Sequence, residues 1–391
     1  MRPASKARLL THLFIDFCRS EQASGILLIV CTVASVIVAN SGFSAAYLEF
    51  WHREIGFGLG GFSISHSLGH WINDGLMTVF FLLIGLEIER ELYIGELSSP
   101  RDAALPALAA VGGMAMPALV YFLVNSGSGN LRGAGIPIAT DIAFSLAILS
   151  LLGNRVPAFL KVFLAAMAII DDLGAILVIA LFYSKGIDVP SLLTAAGIFS
   201  FLLLLNRLRV PSLWPYLVAG VFMWYFMAAS GVHPTISGVL LAFAIPFGSG
   251  DADSPSYRLQ HFLHYPVAYL VMPLFALANT GIAVQSGLGE ALVNGNGVGV
   301  AAGLLAGKPL GVVLAVTAAV RFGLGSLPEE VSWRDVAGIG FLAGIGFTMS
   351  IFITLLAFDD PKMIEGSKVA ILLASLVAAT VGFLCLRRER A

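Results

Sequence analysis

The chain has 391 residues, of which 58% are hydrophobic and only 12% are charged. Soluble domains carry about 25% charged residues, so this composition excludes an ordinary soluble enzyme or binding module and favours a membrane protein. The formal net charge is −2, and this near balance gives no reason to expect a nucleic-acid partner.

Apolar runs that are long enough to cross a bilayer, which takes about 20 helical residues, recur along the whole chain. They follow a short amphipathic stretch, residues 7–20, which predicts a helix lying on the membrane surface. The sequence therefore predicts an all-α polytopic membrane protein with about twelve transmembrane helices, in the windows 24–41, 70–92, 103–125, 133–152, 156–183, 190–206, 212–228, 231–246, 259–284, 298–320, 334–357 and 364–386.

The loop between the first two windows reads REIGFGLGGFSIS, in which residues alternate about a glycine-rich turn. This pattern predicts a small β-hairpin within residues 53–66. The same loop matches a dinucleotide-binding pattern between Gly56 and Gly61, but no strand–helix–strand unit surrounds it. We therefore expect no bound cofactor.

Basic residues predict the orientation, because cytoplasmic loops carry an excess of lysine and arginine. With twelve spans, one side of the membrane receives Arg2, Lys6, Arg8, Arg90, Arg101, Arg155, Arg207, Arg209, Arg321, Arg387, Arg388 and Arg390. The other side receives only Arg53, Arg132, Lys185, Lys362 and Lys368. Both termini are therefore predicted to be cytoplasmic, and the hairpin periplasmic.

Two of the predicted spans look interrupted, in corresponding places of the two halves of the chain. The fourth carries Gly133, Gly135 and Pro137 just before the polar pair Thr140-Asp141. The eleventh carries four glycines in a short stretch: Gly338, Gly340, Gly344 and Gly346. Broken helices at matching positions indicate a transporter built from inverted repeats. The alternative is that these glycines only allow close helix packing.

Four charged residues are predicted to lie at mid-membrane depth: Asp141, Asp171, Asp172 and Lys308. One carboxylate at the centre of a membrane helix costs roughly 2.5–3.5 kcal/mol even on a lenient insertion scale. Asp171 and Asp172 are adjacent, so they point about 100° apart on a helix and one lysine cannot easily neutralise both. Protons and hard cations are the natural binders of such a pair, which predicts a proton or cation site.

Asp141 and Lys308 have charges that suit the ends of broken helices. An N-terminal half-helix end carries partial positive charge and a C-terminal end carries bare carbonyl groups. If the two breaks cross, we expect the Asp141 carboxylate at the N-terminal ends and the Lys308 ammonium at the C-terminal ends. The alternative for Lys308 is a buried ion pair that only orients the helices.

Six segments together carry a resemblance to a known family: WINDGLMTVFFLLIGLEIEREL (71–92), ATDIAFSLAILSLLGNRVP (139–157), AIIDDLGAI (168–176), SGVHPTISGVL (230–240), GKPLG (307–311) and GIGFTMSIFI (344–353). In kind and order they resemble the NhaA family of Na⁺/H⁺ antiporters over nearly the whole chain. The resemblance implies a protein of the bacterial inner membrane with a cytoplasmic segment 1–23. It also implies a core of inverted repeats in residues 103–185 and 298–387, and a panel in residues 24–102 and 186–285. The hairpin would form a homodimer contact.

The same resemblance implies roles for the mid-membrane residues. Asp172 and Asp171 would hold the transported Na⁺ or Li⁺, with Asp172 as the main ligand and Asp171 also pairing with Lys308. Asp141 and Thr140 would line the site at the crossed breaks. Protons and Na⁺ would compete for the same oxygens, so that loading one expels the other.

A regulatory layer is also implied. Residues that match the family's pH-response positions are Glu87, Arg90, Glu91, His261 and His264, and His233 begins the eighth window. Histidines titrate near neutral pH, which suits such a role, although a histidine taken alone is more often an ordinary interfacial residue. Gln260 and Pro234 depart from the family pattern beside two of these histidines. Counted along the helices, the cluster lies about 15 Å from the membrane midplane, away from the aspartates.

Three functions compete at this point. The first is a pH-regulated Na⁺/H⁺ antiporter working by alternating access, which is not an enzyme. The second is a Na⁺-coupled symporter of an organic solute on the same architecture, which needs a roomy polar pocket. The third is an intramembrane aspartyl protease, which needs two facing aspartates in a GxGD context that neither Asp141 nor the adjacent pair has.

Overall fold

The computed structural model describes residues 22–59, 62–127, 130–184, 186–282 and 294–387. Helices make up most of this part of the chain, and its only sheet has two strands. The predicted surface helix at 7–20, Lys185 and the terminal Arg388 and Arg390 lie outside the described residues.

Within the described ranges, nine helices are long and apolar enough to cross a membrane. They are α1 (Gln22–Ala39), α3 (Leu68–Tyr93), α4 (Pro100–Asn125), the interrupted segment Leu131–Leu151, α6 (Ala158–Phe182), α7 (Val189–Arg207), α10 (Pro255–Asn279), α11 (Gly295–Arg321) and α14 (Pro361–Leu386). A bent pair, α12 (Trp333–Ala343) and α13 (Phe347–Ala357), adds a tenth span if it is taken as one. The polytopic helical class predicted from the sequence is confirmed.

Two shorter helices lie in the seventh and eighth predicted windows. They are α8 (Trp214–Ala229), with 16 residues, and α9 (Ile236–Ala244), with 9 residues. Every predicted window therefore contains helix, but α9 is too short to cross a bilayer by itself at 1.5 Å per residue. The count of twelve crossings stays a prediction.

The hairpin predicted within residues 53–66 is present. Strands β1 (Glu54–Leu59) and β2 (Phe62–Ser67) pair antiparallel, with Glu54 opposite Ser67. A short helix, α2 (Ser44–His52), precedes them. A two-stranded hairpin is marginally stable alone, and here the Trp71 indole Nε1 donates to the Ile55 carbonyl at 3.0 Å. The hairpin is thereby fastened to the start of α3.

The fourth predicted span is broken, but not at its glycines. A 3-10 helix covers Leu131–Ile138, the chain is extended from 139 to 141, and α5 (Ile142–Leu151) follows. Gly133 lies inside the 3-10 helix, where a Cβ atom would come within 2.2 Å of the Tyr121 hydroxyl oxygen. This glycine therefore allows close packing, and the chain breaks only at residues 139–141, after the 3-10 helix has ended.

The two broken spans cross each other. In the eleventh span the break is Gly344–Gly346, between α12 and α13, which are bent by 46°. The backbone amide of Asp141 donates to the carbonyl of Ile345 at 2.7 Å, which joins one break to the other. The crossing expected from the sequence is thus observed.

Helices α4 and α11 pack in direct backbone contact beside this crossing. A Cβ atom at Gly311 would lie 2.1 Å from the Gly112 carbonyl oxygen. Small residues at such positions let membrane helices approach closely. The GKPLG motif therefore allows close helix packing, and it also carries Lys308.

Candidate ion-binding site

The structure brings the mid-membrane residues predicted from the sequence into one place. Asp171, Asp172 and Lys308 have no exposed surface, and Thr140 and Asp141 are at most 1% exposed. The two aspartates lie in the middle of α6, and Thr140 and Asp141 form the break of the fourth span. Lys308 is the first residue of the regular α-helical part of α11 that follows a π-helical turn.

Lys308 contacts Asp171, the partner that the resemblance implied. Its Nζ donates to Asp171 Oδ2 at 2.7 Å and also to the carbonyl of Ile138, the last residue of the 3-10 helix. The ammonium therefore lies at a C-terminal half-helix end, where its charge is favourable. A π-helical turn, Gly303–Gly307, immediately precedes Lys308. Such turns often lie at functional sites because they re-aim the residues beside them.

Asp141 caps the N-terminal ends of α5 and α13, the second halves of the two broken spans. Its Oδ1 accepts from the Phe144 amide at 3.0 Å, at the start of α5. Its Oδ2 accepts from the amide of Thr348 at 3.0 Å and from the Thr348 hydroxyl at 2.5 Å, at the start of α13. A carboxylate at a helix N-terminus satisfies orphan amide groups and the helix dipole together. Here one carboxylate does so for two helices.

Thr348 is a site residue that the sequence reasoning missed. The only signal for it is a hydroxyl residue directly after the glycine-rich break, in GIGFTMS. Its role depends on the crossing, which places the start of α13 against a residue about 200 positions earlier in the chain.

Thr140 shares one hydroxyl proton between two acceptors. Its Oγ1 lies 2.6 Å from Asp171 Oδ2 and 2.9 Å from the carbonyl oxygen of Ala343, the last residue of α12. A threonine hydroxyl has one proton and two lone pairs. It can therefore donate to the carboxylate or to the carbonyl, but not to both at once.

The remaining oxygens of the aspartate pair have no partner. Of the four buried side-chain atoms without a hydrogen bond in the described residues, three are Asp171 Oδ1, Asp172 Oδ1 and Asp172 Oδ2. An unpaired buried carboxylate is costly, and a proton or a hard cation would relieve that cost. No three His, Cys, Asp or Glu side chains of the described ranges are placed to hold a metal ion together. A cation at the pair would therefore complete its shell with hydroxyl, carbonyl or water oxygens.

A cavity of about 50 Å³ is lined by Asp172, one of these two aspartates. Asp141, Thr348, Glu87 and His264 line the same cavity. Its other walls are mostly apolar, formed by Phe80, Leu83, Ile84, Leu146, Val267, Met272 and Met349 among others. One water needs roughly 10–15 Å³ measured in this way, so the space holds a few waters or a partly hydrated ion.

This cavity corrects the expectation that the regulatory cluster lies away from the aspartates. Glu87 interacts electrostatically with Asp172 and shares the cavity with it. Depth counted along straight helices overlooked a cavity that runs between α3 and α10 down to the crossing. Glu87 and His264 therefore line the same cavity as Asp172.

The other residues that the resemblance links to pH response do not all lie beside Glu87 and His264. Arg90 pairs with Glu91 at 3.1 Å, and the ring of exposed His261 stacks on Tyr257. His233 lies near the opposite end of α3, where its Nε2 is 3.9 Å from Asp74 Oδ1. The structure thus separates His233 from the Glu87 cluster.

Comparison with known proteins agrees with this architecture. The family model described as "Na+/H+ antiporter 1" matches residues 15–386. A relative from Flavobacterium psychrophilum, named Na⁺/H⁺ antiporter NhaA, is 56% identical over 378 residues, which cover 97% of this chain and 96% of the relative. A relative of the same name from Cytophaga hutchinsonii is 54% identical, covering 96% and 95%.

A solved structure shares the fold at low sequence identity. It is the sodium proton antiporter MjNhaP1 from Methanocaldococcus jannaschii at pH 8, with a TM-score of 0.52 and 14% identity. The match covers 96% of this chain and 99% of that one. The resemblance in fold therefore extends over both chains almost completely.

Proposed function

The chain belongs to the Na⁺/H⁺ antiporter 1 family, and on that premise we propose that it is a secondary antiporter that exchanges cytoplasmic Na⁺ or Li⁺ for external H⁺ across the bacterial inner membrane. The observation that carries the proposal is the set of three buried carboxylate oxygens on Asp171 and Asp172 that have no partner among the described residues, with Asp172 lining a cavity. Such oxygens bind either protons or a hard cation, and the two compete.

Asp172 is the main ligand, because neither of its oxygens has a hydrogen-bond partner in the part of the chain that the structure describes. Asp171 supplies its free Oδ1. When a cation takes up the negative charge of Asp171, the Thr140 proton turns to the Ala343 carbonyl and leaves a hydroxyl lone pair for the cation. Asp141 stays engaged with the two helix ends that it caps, and it adds negative charge near the site.

The cavity on the Glu87 side corresponds to the cytoplasmic entrance under the predicted orientation. On the other side, tyrosine hydroxyls contact the start of the 3-10 helix. Tyr183 donates to the Arg132 carbonyl at 2.6 Å, and the Tyr121 hydroxyl oxygen lies 3.0 Å from the Asn130 carbonyl oxygen and 2.7 Å from Asn296 Oδ1. Alternating access then requires the crossing and its aspartates to face this second side in turn. In the external-facing state these hydrogen bonds are broken.

An organic-solute symporter is the weaker candidate. It requires a polar pocket with room for the solute, and typical small-molecule sites have volumes of about 300–1,000 Å³. The cavity that reaches the aspartates offers about 50 Å³ and mostly apolar walls. A desolvated or partly hydrated ion fits this space, and an organic solute does not.

Competition at shared carboxylates predicts a pH-dependent apparent KM for Na⁺. In proteoliposomes with a preset pH gradient, added Na⁺ should dissipate the gradient. The apparent KM should fall about tenfold for each unit by which the pH rises, over the range in which each Na⁺ displaces one proton. A KM that stays flat across the active range would mean that protons and Na⁺ use separate sites. Liposomes without protein and addition of choline in place of Na⁺ serve as controls.

We assign pH regulation to the cytoplasmic ends of α3 and α10. Glu89 is 4% exposed there and accepts a hydrogen bond from Ser256 at 2.9 Å. Gln260 lies one helical turn after Ser256 and is also buried. Glu89 and Gln260 thus belong to the contact between α3 and α10. A change of charge in that contact would shift one helix relative to the other.

Gln260→Glu should therefore move the midpoint of the pH profile by about half a unit or more, because it adds a carboxyl group near Glu89. The maximal rate at optimal pH should stay close to that of the parent. Glu87→Gln should in addition raise the KM for Na⁺, because Glu87 lines the cavity. His52→Ala, at an exposed histidine outside this contact, is the control. An unchanged profile in Gln260→Glu would remove this contact from regulation.

We also place a homodimer contact at the hairpin. In the described residues β1 and β2 pair only with each other, so each has a free edge that can add a strand from a second copy. The exposed apolar side chains of the long helices then face lipid.

A further inference from the structure

Two buried serines connect the halves of the crossed spans. Ser145, in α5, donates to the carbonyl of Leu342, near the end of α12, at 2.8 Å. Ser350, in α13, donates to the carbonyl of Ile136, near the end of the 3-10 helix, at 2.7 Å. Each serine thus belongs to the second half of one broken span and contacts the end of the first half of the other. Neither side chain is exposed at all.

These hydrogen bonds complete a pattern at the helix ends. The last carbonyls of a helix have no partner within it. Five carbonyl groups at or near the breaks can accept from donors of the chain itself: Ile136 from Ser350, Ile138 from Lys308, Leu342 from Ser145 and from the Ile345 amide, Ile345 from the Asp141 amide, and Ala343 from Thr140 when that hydroxyl does not donate to Asp171.

Occupied carbonyls differ from the usual arrangement in transporters with broken helices. In many of them the carbonyl groups of the unwound segment coordinate the transported cation. A carbonyl oxygen binds a cation without first losing a proton, whereas a carboxylic acid must lose one. Which of the two kinds of oxygen is available therefore decides whether cation binding obliges the release of a proton.

We propose that Ser145 and Ser350 are positioning residues that keep the Leu342 and Ile136 carbonyl groups beside the breaks occupied, so that Na⁺ is bound through carboxylates and must displace protons. The inference rests on the proposed antiport function and names the residues that enforce its coupling. Ser145 donates to the Leu342 carbonyl. The next carbonyl along the chain, that of Ala343, lies within hydrogen-bond distance of the Thr140 hydroxyl, which also contacts Asp171. Ser350 protects the corresponding region of the other break, two residues before the Lys308 contact.

The test is the number of protons released per Na⁺ bound. It is measured by titration calorimetry of the full-length purified protein in two buffers of different ionisation enthalpy. For the parent we expect about one proton released per Na⁺ bound, which corresponds to an apparent Na⁺ affinity that rises about tenfold for each unit of rising pH. For Ser145→Ala and Ser350→Ala, measured singly before the double variant, we expect a shallower dependence, below about threefold per pH unit. The Ile136 carbonyl then loses its Ser350 donor, and the Leu342 carbonyl keeps the Ile345 amide, so each has a lone pair for a ligand contact that needs no deprotonation.

Two further variants separate positioning from simple stability. Ser145→Thr and Ser350→Thr keep the hydroxyl and should restore the proton release of the parent. Ser237→Ala removes a serine that is 2% exposed and donates locally to the Pro234 carbonyl at 2.6 Å, outside the crossing. It should lower the melting temperature without changing the proton count.

If the alanine variants of Ser145 and Ser350 behave like Ser237→Ala, less stable but with parental proton release, the inference is wrong. If the threonine variants fail to restore coupling while folding normally, it is also wrong. If the parent itself binds Na⁺ without releasing protons, the proposed antiport mechanism fails and this inference falls with it. A shallower pH dependence confined to the alanine variants supports it.

Discussion

Asp172→Asn should abolish both Na⁺ binding and Na⁺/H⁺ exchange. The asparagine side chain has nearly the same size, so the surrounding helices need not move. It cannot carry the negative charge that attracts the ion, nor the proton that is exchanged for it. Because neither Asp172 oxygen has another partner among the described residues, the substitution removes no other hydrogen bond. The expected result is the loss of a calorimetric Na⁺ signal and of Na⁺-driven collapse of a pH gradient.

Asp335→Asn is the matched control for this variant. Asp335 is also buried, at 2% exposure, but its Oδ2 accepts from the amide and hydroxyl of Ser332 in a capping box at the start of α12. Its replacement should cost about 1 kcal/mol of stability and leave Na⁺ affinity unchanged. Normal Na⁺ affinity in Asp172→Asn would exclude Asp172 from the binding site and would leave the unpaired oxygens of this pair unexplained.

Much of the site could be predicted because charge in a membrane helix is expensive. Asp171, Asp172, Asp141 and Lys308 stand out in apolar runs, and the structure buries all four around one crossing. The opposite charges of Asp141 and Lys308 suffice to assign them to opposite helix ends, given that broken helices have polar ends. Local sequence and electrostatics therefore suffice to identify these four residues.

Other features depend on contacts that local sequence does not encode. Thr348 and Ser145 are ordinary hydroxyl residues in helical runs, and their roles appear only when α12 and α13 cross the fourth span. Glu87 was placed by counting residues along a helix, which measures depth but not the shape of the space between helices. Helices α8 and α9 fill predicted windows but are short. Apolar length therefore predicted where helices lie better than it predicted how many cross the membrane.

The second large effect is expected at the buried ion pair of Lys308 and Asp171. Both side chains are fully buried, and the Nζ also donates to the Ile138 carbonyl. Removing one partner of a buried pair leaves the other charge uncompensated and typically costs 3–5 kcal/mol. Lys308→Ala should therefore lower the melting temperature of the purified protein by several degrees. Lys362→Ala, at an exposed lysine at the start of α14, should leave it unchanged.

The double variant Asp171→Asn/Lys308→Gln tests whether the charge or the side-chain contact matters. Two amides can still hydrogen-bond to each other and to the Ile138 carbonyl, and no buried charge is left unpaired, so most of the lost stability should return. If the double variant remains as unstable as Lys308→Ala, packing of the lysine stem rather than the ion pair holds α11 against α6.

Transport by the double variant then tests whether Lys308 is an obligatory proton carrier. Exchange of one Na⁺ for one proton moves no net charge, and Asp172 alone carries one proton per cycle, so a double variant without another carrier should exchange Na⁺ without a current. A current during Na⁺ exchange would mean that a group other than Lys308 and Asp171 carries a second proton, and Lys308 would then not be an obligatory carrier. Because Asp172 is intact in this variant, its affinity for Na⁺ serves as the internal check that the binding site itself has survived.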